Sequence, residues 1–562
     1  MAESPTNRTG AEVLAEMLSA YGVTHFFLVP SVFNQTLMEM ERLTDIVRVH
    51  AHGEKAAAYM ADGYARASGR PGVCGAQVVG ALNLAAGLRD AHLAHSPVIA
   101  LTGGRHPLLK HRQPYQEVDD VPAFEQVTKL NATVDDVSRF PDMLRQAFRS
   151  AVTGTPGPVH LQFRGNEGQI DGDSAPMEPT VETRFSSVPP FRPAPEDSDV
   201  AQALSLLRSA QRPVIVVGGG ARQSGAGAEV LRVAETLQIP LATSLNGKEL
   251  VPASHPLSVG VVGSYSRECA NKVVAEADLV CFLGSETGGM VTAFWTLPKP
   301  ETVPVIQFDL NAANLGRNYP LAAAVNGDAK VSLQRLLELN GDQPAPTRGA
   351  WLDRVRGLIA QWREEHAPLI TSEDAPIRPE RLASDLSDLV PDNAAIVVDT
   401  GHAGVWMGGY FNISAGQRYI RSSGHLGWAF PASLGVKAAL PDRPVVTFTG
   451  DAGMWYHIGE LETAVRWNLN TITVVNNNSG GNQTRNGYGW VYEDTGLERD
   501  HELWAFRDVD FATVAEDIGA LGLRVDKPSD LEPAMKQALA ADRPVVINVR
   551  TDANIMAPRV GS

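Results

Sequence analysis

The stretch Val445-Val-Thr-Phe-Thr-Gly-Asp-Ala-Gly453 decides the fold class and holds the strongest functional signal in the chain. Its first five residues are apolar or β-branched, which is typical of a buried parallel strand, and a Gly-Asp turn follows them. A second strand of the same kind, Thr471 to Asn476, ends in three asparagines. Because the carboxyl ends of parallel strands open into one crevice, we expect Asp451 and Asn478 to converge there.

Oxygen ligands in this arrangement suit a magnesium ion. The carboxylate of Asp451, the amide oxygen of Asn478 and the main-chain carbonyl of Gly480 form the hard set that Mg²⁺ prefers, and phosphate oxygens commonly complete it. Backbone N–H groups of Ala452 and Gly453, near the start of the next helix, add affinity for anions. Either motif alone is also typical of an ordinary turn, but the two together favour a site for a metal ion and a phosphate group.

Strand-like runs alternate with helical stretches along the whole chain, which predicts an α/β protein. Three doubly wound parallel-sheet domains in series are the simplest interpretation. Polar, proline-bearing stretches separate them, such as residues 176–195 with six prolines. We place the domains at residues 1–175, 195–345 and 375–552, followed by a tail at 553–562 that is a candidate lid.

Composition excludes several classes of protein. The 562 residues carry a formal net charge of -16, which argues against a nucleic-acid partner. Only three cysteines occur and none forms a Cys-x-x-Cys pair, so neither a disulfide framework nor a cysteine zinc site is expected. No secretory leader and no membrane-spanning apolar run is evident, so we expect a cytoplasmic protein without a membrane partner.

The Gly-Asp and Asn-Asn pair resembles the signature of thiamine-diphosphate-dependent enzymes, in which a third glycine stands where this chain has Ala452. The stretch EKAAAYMADGYAR, residues 54–66, resembles the family's glutamate-bearing segment. The resemblance implies thiamine diphosphate and Mg²⁺ as cofactors, with a buried Glu54 bonded to the aminopyrimidine N1′ so that the 4′ nitrogen can take the C2 proton. The family's histidine directly before this glutamate is missing, because Gly53 separates His52 from Glu54.

Two further segments resemble parts of the family's cofactor site. In Gly424-His-Leu-Gly427, the carbonyl of Gly424 would accept from the 4′-amino group and Leu426 would wedge between the two cofactor rings. Gly401-His402 matches a turn that contacts the diphosphate. The resemblance also implies that the first domain binds the pyrimidine of a cofactor held by another subunit, hence a homodimer or homotetramer.

The central block carries a weaker signal for a nucleotide. Gly219 and Gly220 follow a strand, and Asp309 ends another. They resemble the cleft that holds ADP or FAD in relatives, and we favour ADP over FAD.

The whole chain resembles the branch that contains acetolactate synthase, oxalyl-CoA decarboxylase and 2-hydroxyacyl-CoA lyase. Tyr115 and Gln116 match the substrate-facing positions of that branch. Glu493 follows an insert where a lid over the cofactor would lie, so it is either a catalytic base or a solvated loop residue. Arg559 in the tail suits a CoA phosphate.

From these residues we predict a 2-hydroxyacyl-CoA lyase, similar to the actinobacterial enzymes that act on branched substrates such as 2-hydroxyisobutyryl-CoA. It would cleave an acyl-CoA substrate to formyl-CoA and a ketone or aldehyde, with Glu493 taking the 2-hydroxyl proton. The alternatives are an acetolactate-synthase-like carboligase and an oxalyl-CoA or 2-oxo-acid decarboxylase. A non-catalytic nucleotide-binding protein ranks last, because Glu54, Asp451 and Asn478 are all present.

Overall fold

A computed structural model of the protein describes residues 6–116 and 118–558. Three six-stranded sheets follow one another along the chain, and every strand pair within them is parallel. This confirms the predicted class of three doubly wound α/β domains in series. The domain limits themselves stay predictions.

The first sheet occupies the amino-terminal third of the chain. In its first helix, α1 (Gly10–Ala20), the N-cap Thr9 and Glu12 form a reciprocal capping box. The strand order is β3-β2-β4-β5-β7-β6, with β1 and β8 forming a separate antiparallel pair. The elements are β1 (Asn7–Thr9), α1 (Gly10–Ala20), β2 (His25–Leu28), α2 (Asn34–Leu43), β3 (Val47–His50), α3 (Glu54–Ser68), β4 (Gly72–Ala76), α4 (Ala81–Leu93), β5 (Val98–Gly103), α5 (Val121–Phe124), β6 (Leu130–Val134), α6 (Phe140–Val152), β7 (Val159–Phe163) and β8 (Ser174–Pro176).

The second sheet forms the centre of the chain, with strand order β11-β10-β9-β12-β13-β14. A 22-residue helix follows it and leads to the third sheet. The elements are α7 (Asp197–Ser209), β9 (Pro213–Val217), α8 (Gly219–Gln223), α9 (Gly227–Leu237), β10 (Leu241–Thr243), β11 (Ser258–Val261), α10 (Glu268–Glu276), β12 (Leu279–Leu283), β13 (Val305–Asp309), β14 (Leu321–Asn326), α11 (Ala329–Asn340) and α12 (Gly349–Ile370).

The third sheet has strand order β16-β15-β17-β18-β20-β19. Its central strands are buried on both faces, as their continuous apolar runs predict. The elements are α13 (Pro379–Leu389), β15 (Ala395–Val398), α14 (His402–Gly409), β16 (Arg418–Arg421), α15 (Ala429–Ala439), β17 (Val445–Gly450), α16 (Asp451–Trp455), α17 (Glu460–Arg466), β18 (Ile472–Asn477), α18 (Asn482–Tyr492), α19 (Phe511–Ile518), β19 (Leu521–Val525), α20 (Leu531–Ala540) and β20 (Val545–Arg550).

The connections between strands determine where ligands can bind. When the six strands of each sheet are numbered 1 to 6 in chain order, the first and third sheets have the same spatial order, 2-1-3-4-6-5. The central sheet has the order 3-2-1-4-5-6. A crevice opens where successive connections leave in opposite directions, which is between β15 and β17 in the third sheet and between β9 and β12 in the second. The glycine-bearing turns identified in the sequence follow these strands.

Within residues 6–116 and 118–558, no helix combines the length and the apolar character needed to cross a membrane.

Candidate active site

Asp451 and Asn478 follow the neighbouring strands β17 and β18 at the carboxyl edge of the third sheet, beside its crevice. Strand register pairs Gly450 with Asn476, so the residues that follow β17 and β18 lie side by side. One Asp451 oxygen accepts from the N–H of Ala452 and the other from the N–H of Gly480, both at 2.8 Å. The predicted metal-ligating segments are thus adjacent in space.

The donors at this point are suited to a cation. Asp451 is 3% exposed, and burial raises the pKa of its carboxyl to about 6. The amide oxygen of Asn478 is buried and accepts no hydrogen bond from the described residues. A buried acceptor without a donor is costly, and a divalent ion beside it would supply the missing partner. The described residues contain no cluster of three or more His, Cys, Asp or Glu, so a metal here would rest on this mixed oxygen set.

The structure explains why alanine is tolerated at position 452. Ala452 lies in the first turn of α16, where the backbone is right-handed and accepts a side chain. Gly453 is the restricted position, because a Cβ there would lie 2.5 Å from Thr449 Oγ1 and 2.6 Å from Asp399 Oδ2. Replacement of the family's third glycine therefore leaves the turn intact.

Gly401 and His402 begin α14 at the same crevice, directly after β15. Gly401 has φ 69° and ψ -147°, a conformation open to glycine and strained for other residues. Burial lowers the pKa of His402 to about 4, so its ring is neutral at physiological pH. No side chain caps this helix start, and the N–H groups of a first helical turn lack partners within the helix, so such a turn favours an anion.

The turn from Ser422 to Gly427 presents Gly424 and Leu426. Gly424 has φ 138°, and a Cβ added there would meet nothing within 4 Å. Leu426 is half-buried. At the end of the turn, the N–H of Gly427 donates to both carboxylate oxygens of Asp399 at 3.2 Å. Asp399, which is fully buried with a pKa raised to about 7 by burial, was not identified from the sequence as a site residue.

Glu54 is the first residue of α3 and faces other residues of the first domain. Asn83 Nδ2 donates to its Oε2 at 3.1 Å, and a Cβ on Gly80 would lie 2.4 Å from its Oε1. The expectation of a buried carboxyl needs correction for the single chain, in which Glu54 is half-buried. A second glutamate lies nearby: Glu460 of the third domain accepts from the backbone N–H groups of His52 and Gly53.

The predicted substrate loop lies beside the Glu54 region. Gln77, just before the turn that carries Gly80, donates to Gln116 Oε1 at 3.3 Å. Tyr115 is 79% exposed, and its carbonyl accepts from Asn166. Gln116 is therefore connected to the Glu54 region, whereas the Tyr115 ring is not fixed by these contacts.

Glu493 lies just beyond α18, at the end opposite Gln483. It is exposed and follows the last residue of α18. Gln483, at the other end of that helix, lies against Gly401. At 1.5 Å per residue, the helix places Glu493 about 15 Å farther along.

The predicted tail packs on the same helix. The carbonyl of Ala553 accepts from Asn482 at 3.0 Å and from Arg485 at 2.7 Å. Arg559 lies outside the described residues.

The three residues predicted for a nucleotide line one cavity of about 400 Å³, which the central domain forms together with residues of the first and third domains, such as Arg66 and Ser423. Gly219 and Gly220 follow β9, and Asp309 ends β13. Gly218 keeps this turn close to β12, because a Cβ there would lie 2.1 Å from the carbonyl of Gly284. The cavity lies at the switch point of the central sheet, and its size is in the range of ligand pockets.

Curated relatives cover nearly the whole chain. The probable acetolactate synthase large subunit of Methanocaldococcus jannaschii is 31% identical over 98% of this chain and 93% of its own length. The acetolactate synthase of Arthrospira platensis is 30% identical over 96% and 94%. The acetolactate synthase isozyme 1 large subunit of Escherichia coli is 27% identical over 97% and 94%.

These relatives correct the predicted activity. The prediction of a 2-hydroxyacyl-CoA lyase is wrong, because relatives matched end to end are acetolactate synthases. Without the lyase prediction, nothing supports an acyl-CoA substrate or a formyl-CoA product. The prediction relied on the segment after Asn478, where a short local difference outweighed the similarity of the rest of the chain.

Three family models match successive parts of the chain and agree with the three sheets. They describe a thiamine pyrophosphate enzyme, where pyrophosphate is the other name for diphosphate. The N-terminal TPP binding domain matches residues 8–123, the central domain 200–336 and the C-terminal TPP binding domain 399–549. With relatives at 30% identity or more over almost the full length, the chain belongs to the thiamine-diphosphate-dependent enzymes that make or break carbon–carbon bonds.

Proposed function

We propose that the protein is a carboligase of the acetolactate synthase type, which decarboxylates one 2-oxo acid and joins the retained fragment to a second. The observation that carries the proposal is the end-to-end match with acetolactate synthases at 30% and 31% identity. When bound, thiamine diphosphate supplies a carbon nucleophile and an electron sink for this chemistry.

We further propose how this chain's residues hold and activate that cofactor. Asp451, Asn478 and the Gly480 main chain would hold Mg²⁺, an assignment supported by the unpartnered Asn478 oxygen. The N–H groups at the starts of α14 and α16 would bind the diphosphate. Glu54 would hold the proton shared with the pyrimidine N1′, while the carbonyl of Gly424 orients the 4′-amino group and Leu426 supports the bent cofactor.

A direct assay tests the proposed activity. Purified protein with thiamine diphosphate, Mg²⁺ and pyruvate should produce acetolactate, detected as acetoin after acid decarboxylation. Glu54→Gln protein serves as the inactive control. Failure to consume pyruvate by protein with bound cofactor, confirmed by calorimetry, would reject this carboligase.

We propose that two copies of the chain complete the active sites, with Glu54 serving the cofactor of the partner subunit. Large apolar side chains are exposed near both halves of the site. Val79 and Leu82, which flank Gly80 and Asn83, are 56% and 50% exposed. Tyr456, shortly after Asp451, is 56% exposed. Exposed apolar side chains in such groups are typical of protein interfaces.

We propose a nucleotide with an ADP moiety, either ADP or FAD, in the central cavity. The glycine turns and the position at the switch point support an ADP-containing ligand. Denaturing the purified protein should release it into the supernatant, where chromatography separates ADP from FAD and the visible absorption of a flavin identifies FAD. Protein that is free of both and gains neither on incubation would contradict the assignment.

Glu493→Gln should change carboligation little. Glu493 is exposed, and decarboxylation followed by ligation needs no base at the end of α18. We expect kcat/KM for pyruvate to stay within about threefold of the wild-type value, well below the 10²- to 10⁴-fold typical of losing a general base. A loss in that larger range would show that Glu493 takes part in the reaction.

A further inference from the structure

Residues of the first domain form hydrogen bonds to the turn of the third domain that carries Gly424 and Leu426. Asp90, on α4, accepts from the backbone N–H of Ser423 at 2.9 and 3.0 Å and from that of His425 at 3.2 Å. Its Oδ2 also accepts from the Ser422 hydroxyl at 3.0 Å. One carboxylate of the first domain therefore accepts hydrogen bonds from three donors of the turn.

A buried arginine holds Asp90 in place. Arg66 donates to Asp90 Oδ1 at 2.7 Å and to Asp62 Oδ1 at 2.8 Å, and its third nitrogen donates to the carbonyl of Arg421 at 2.6 Å. The guanidinium carbon of Arg66 lies 4.5 Å from the Trp428 ring centroid, and Trp428 donates to Asp62 at 2.9 Å. Residues just before and just after the turn thus contact the same charged group.

The two ends of the turn are held from different domains. Asp90 holds its first part and Asp399 holds Gly427 at its end. Tyr59 on α3 adds a hydrogen bond to His425. Between these contacts the backbone of Gly424 borders open space, and its carbonyl direction follows from how the neighbours are held.

Stability alone is a weak explanation for this cluster. Asp62, Arg66 and Asp90 are 0%, 7% and 1% exposed, and removing such charges from water costs about as much as their pairing returns. Apolar residues could join the two domains with less cost. Charges that converge on backbone N–H groups do something that apolar side chains cannot, which is to fix the orientation of specific peptide groups.

We propose that Asp90, held by Arg66, is a positioning residue that sets the turn Ser422–Gly427 for cofactor activation. The inference rests on the proposed roles of Gly424 and Leu426. Loosening the turn would misdirect the Gly424 carbonyl while the diphosphate and metal contacts, which belong to other segments, stay intact. Cofactor affinity and cofactor activation would therefore separate.

The test compares Asp90→Asn with Asp171→Asn. Asp171 is a matched control, because it is 2% exposed, lies in the same domain and accepts from Thr36 rather than from the turn. In Asp90→Asn, an amide NH₂ replaces one carboxylate oxygen, and it cannot accept hydrogen bonds from the N–H and O–H donors of the turn. Ser422→Ala is a companion variant, should Asp90→Asn fail to fold. It removes the hydroxyl that donates to Asp90 and that also accepts from the N–H groups of Gly424 and His425.

Two readouts are independent of turnover. Hydrogen exchange of the backbone amides of residues 422–427 in cofactor-free protein should become at least about tenfold faster in Asp90→Asn and stay unchanged in Asp171→Asn. With cofactor bound and no substrate, exchange of the C2 proton with deuterated solvent should slow about tenfold or more, while the Kd for thiamine diphosphate stays within about threefold. Ser422→Ala should shift both rates in the same direction, because it removes one bond to Asp90 and two bonds within the turn.

The outcomes separate this inference from the proposed function. Unchanged C2 exchange in folded, cofactor-loaded Asp90→Asn and Ser422→Ala would overturn the positioning role, provided that Glu54→Gln in the same experiment still abolishes exchange. If Glu54→Gln also left exchange unchanged, the cofactor-activation assignment itself would fail. If Asp171→Asn and Asp90→Asn changed amide exchange and C2 proton exchange equally, Asp90 would have only a structural role.

Discussion

Glu54→Gln should abolish turnover while cofactor binding remains nearly intact. The amide keeps the size of the carboxyl and its contact with Asn83, but it cannot exchange a proton with the pyrimidine N1′. We expect kcat to fall by about 10² to 10⁴, the range for loss of a general acid-base group, with the thiamine diphosphate Kd within about threefold. Steady-state kinetics and calorimetry measure the two quantities.

Glu41→Gln is the matched control for this substitution. Glu41 is an exposed glutamate of the first domain that pairs with Arg48, away from the cofactor residues. Its variant should behave as wild type. Near wild-type turnover by Glu54→Gln would instead remove Glu54 from cofactor activation.

Asp451→Ala should lose Mg²⁺ and thiamine diphosphate together. It removes the only carboxylate proposed for the metal and the acceptor for the N–H groups of Ala452 and Gly480. Because outer-shell partners alone typically account for 10- to 100-fold in metal affinity, we expect a loss of roughly 100-fold or more for a direct ligand. Calorimetric titration with the cofactor at fixed Mg²⁺ measures it.

Two comparison variants sharpen the result. Asp451→Asn keeps the shape and one oxygen, so its loss should be smaller. Asp526→Ala removes an exposed carboxylate of the same domain and should bind the cofactor as wild type does. Unimpaired cofactor binding by Asp451→Ala would exclude this residue as the metal ligand.

Mixing the two inactive chains tests whether the sites are shared between subunits. If Glu54 serves the partner's cofactor, a dimer of one Glu54→Gln chain and one Asp451→Ala chain contains one intact site and one doubly altered site. Random exchange of subunits should then restore roughly a quarter of wild-type activity. Half of the dimers are mixed, and in each mixed dimer one of the two sites is intact. No recovery in confirmed mixed dimers would place both residues in one chain's site.

The amino-acid sequence alone was sufficient for the fold class and for the cofactor family. Buried parallel strands are encoded locally, as continuous apolar runs such as Val445 to Thr449, and the turns after them carry their chemistry in a few adjacent residues. Gly450-Asp451 and the asparagines ending at Asn478 could be paired because strand ends in a parallel sheet share an edge. The substrate could not be predicted this way, since it depends on a few side chains brought together from distant segments.

Only the tertiary structure revealed which residues hold the cofactor turn. Asp90 and His425 are far apart in the chain, and no local pattern marks an aspartate on an amphipathic helix as the acceptor for backbone groups of another domain. Asp399 was missed because its bond to Gly427, within the third domain, depends on how β15 and the turn pack, which no local pattern marks. Strands and their terminal motifs follow from local residue order, whereas contacts between domains follow from how separate cores dock, which short-range patterns do not encode.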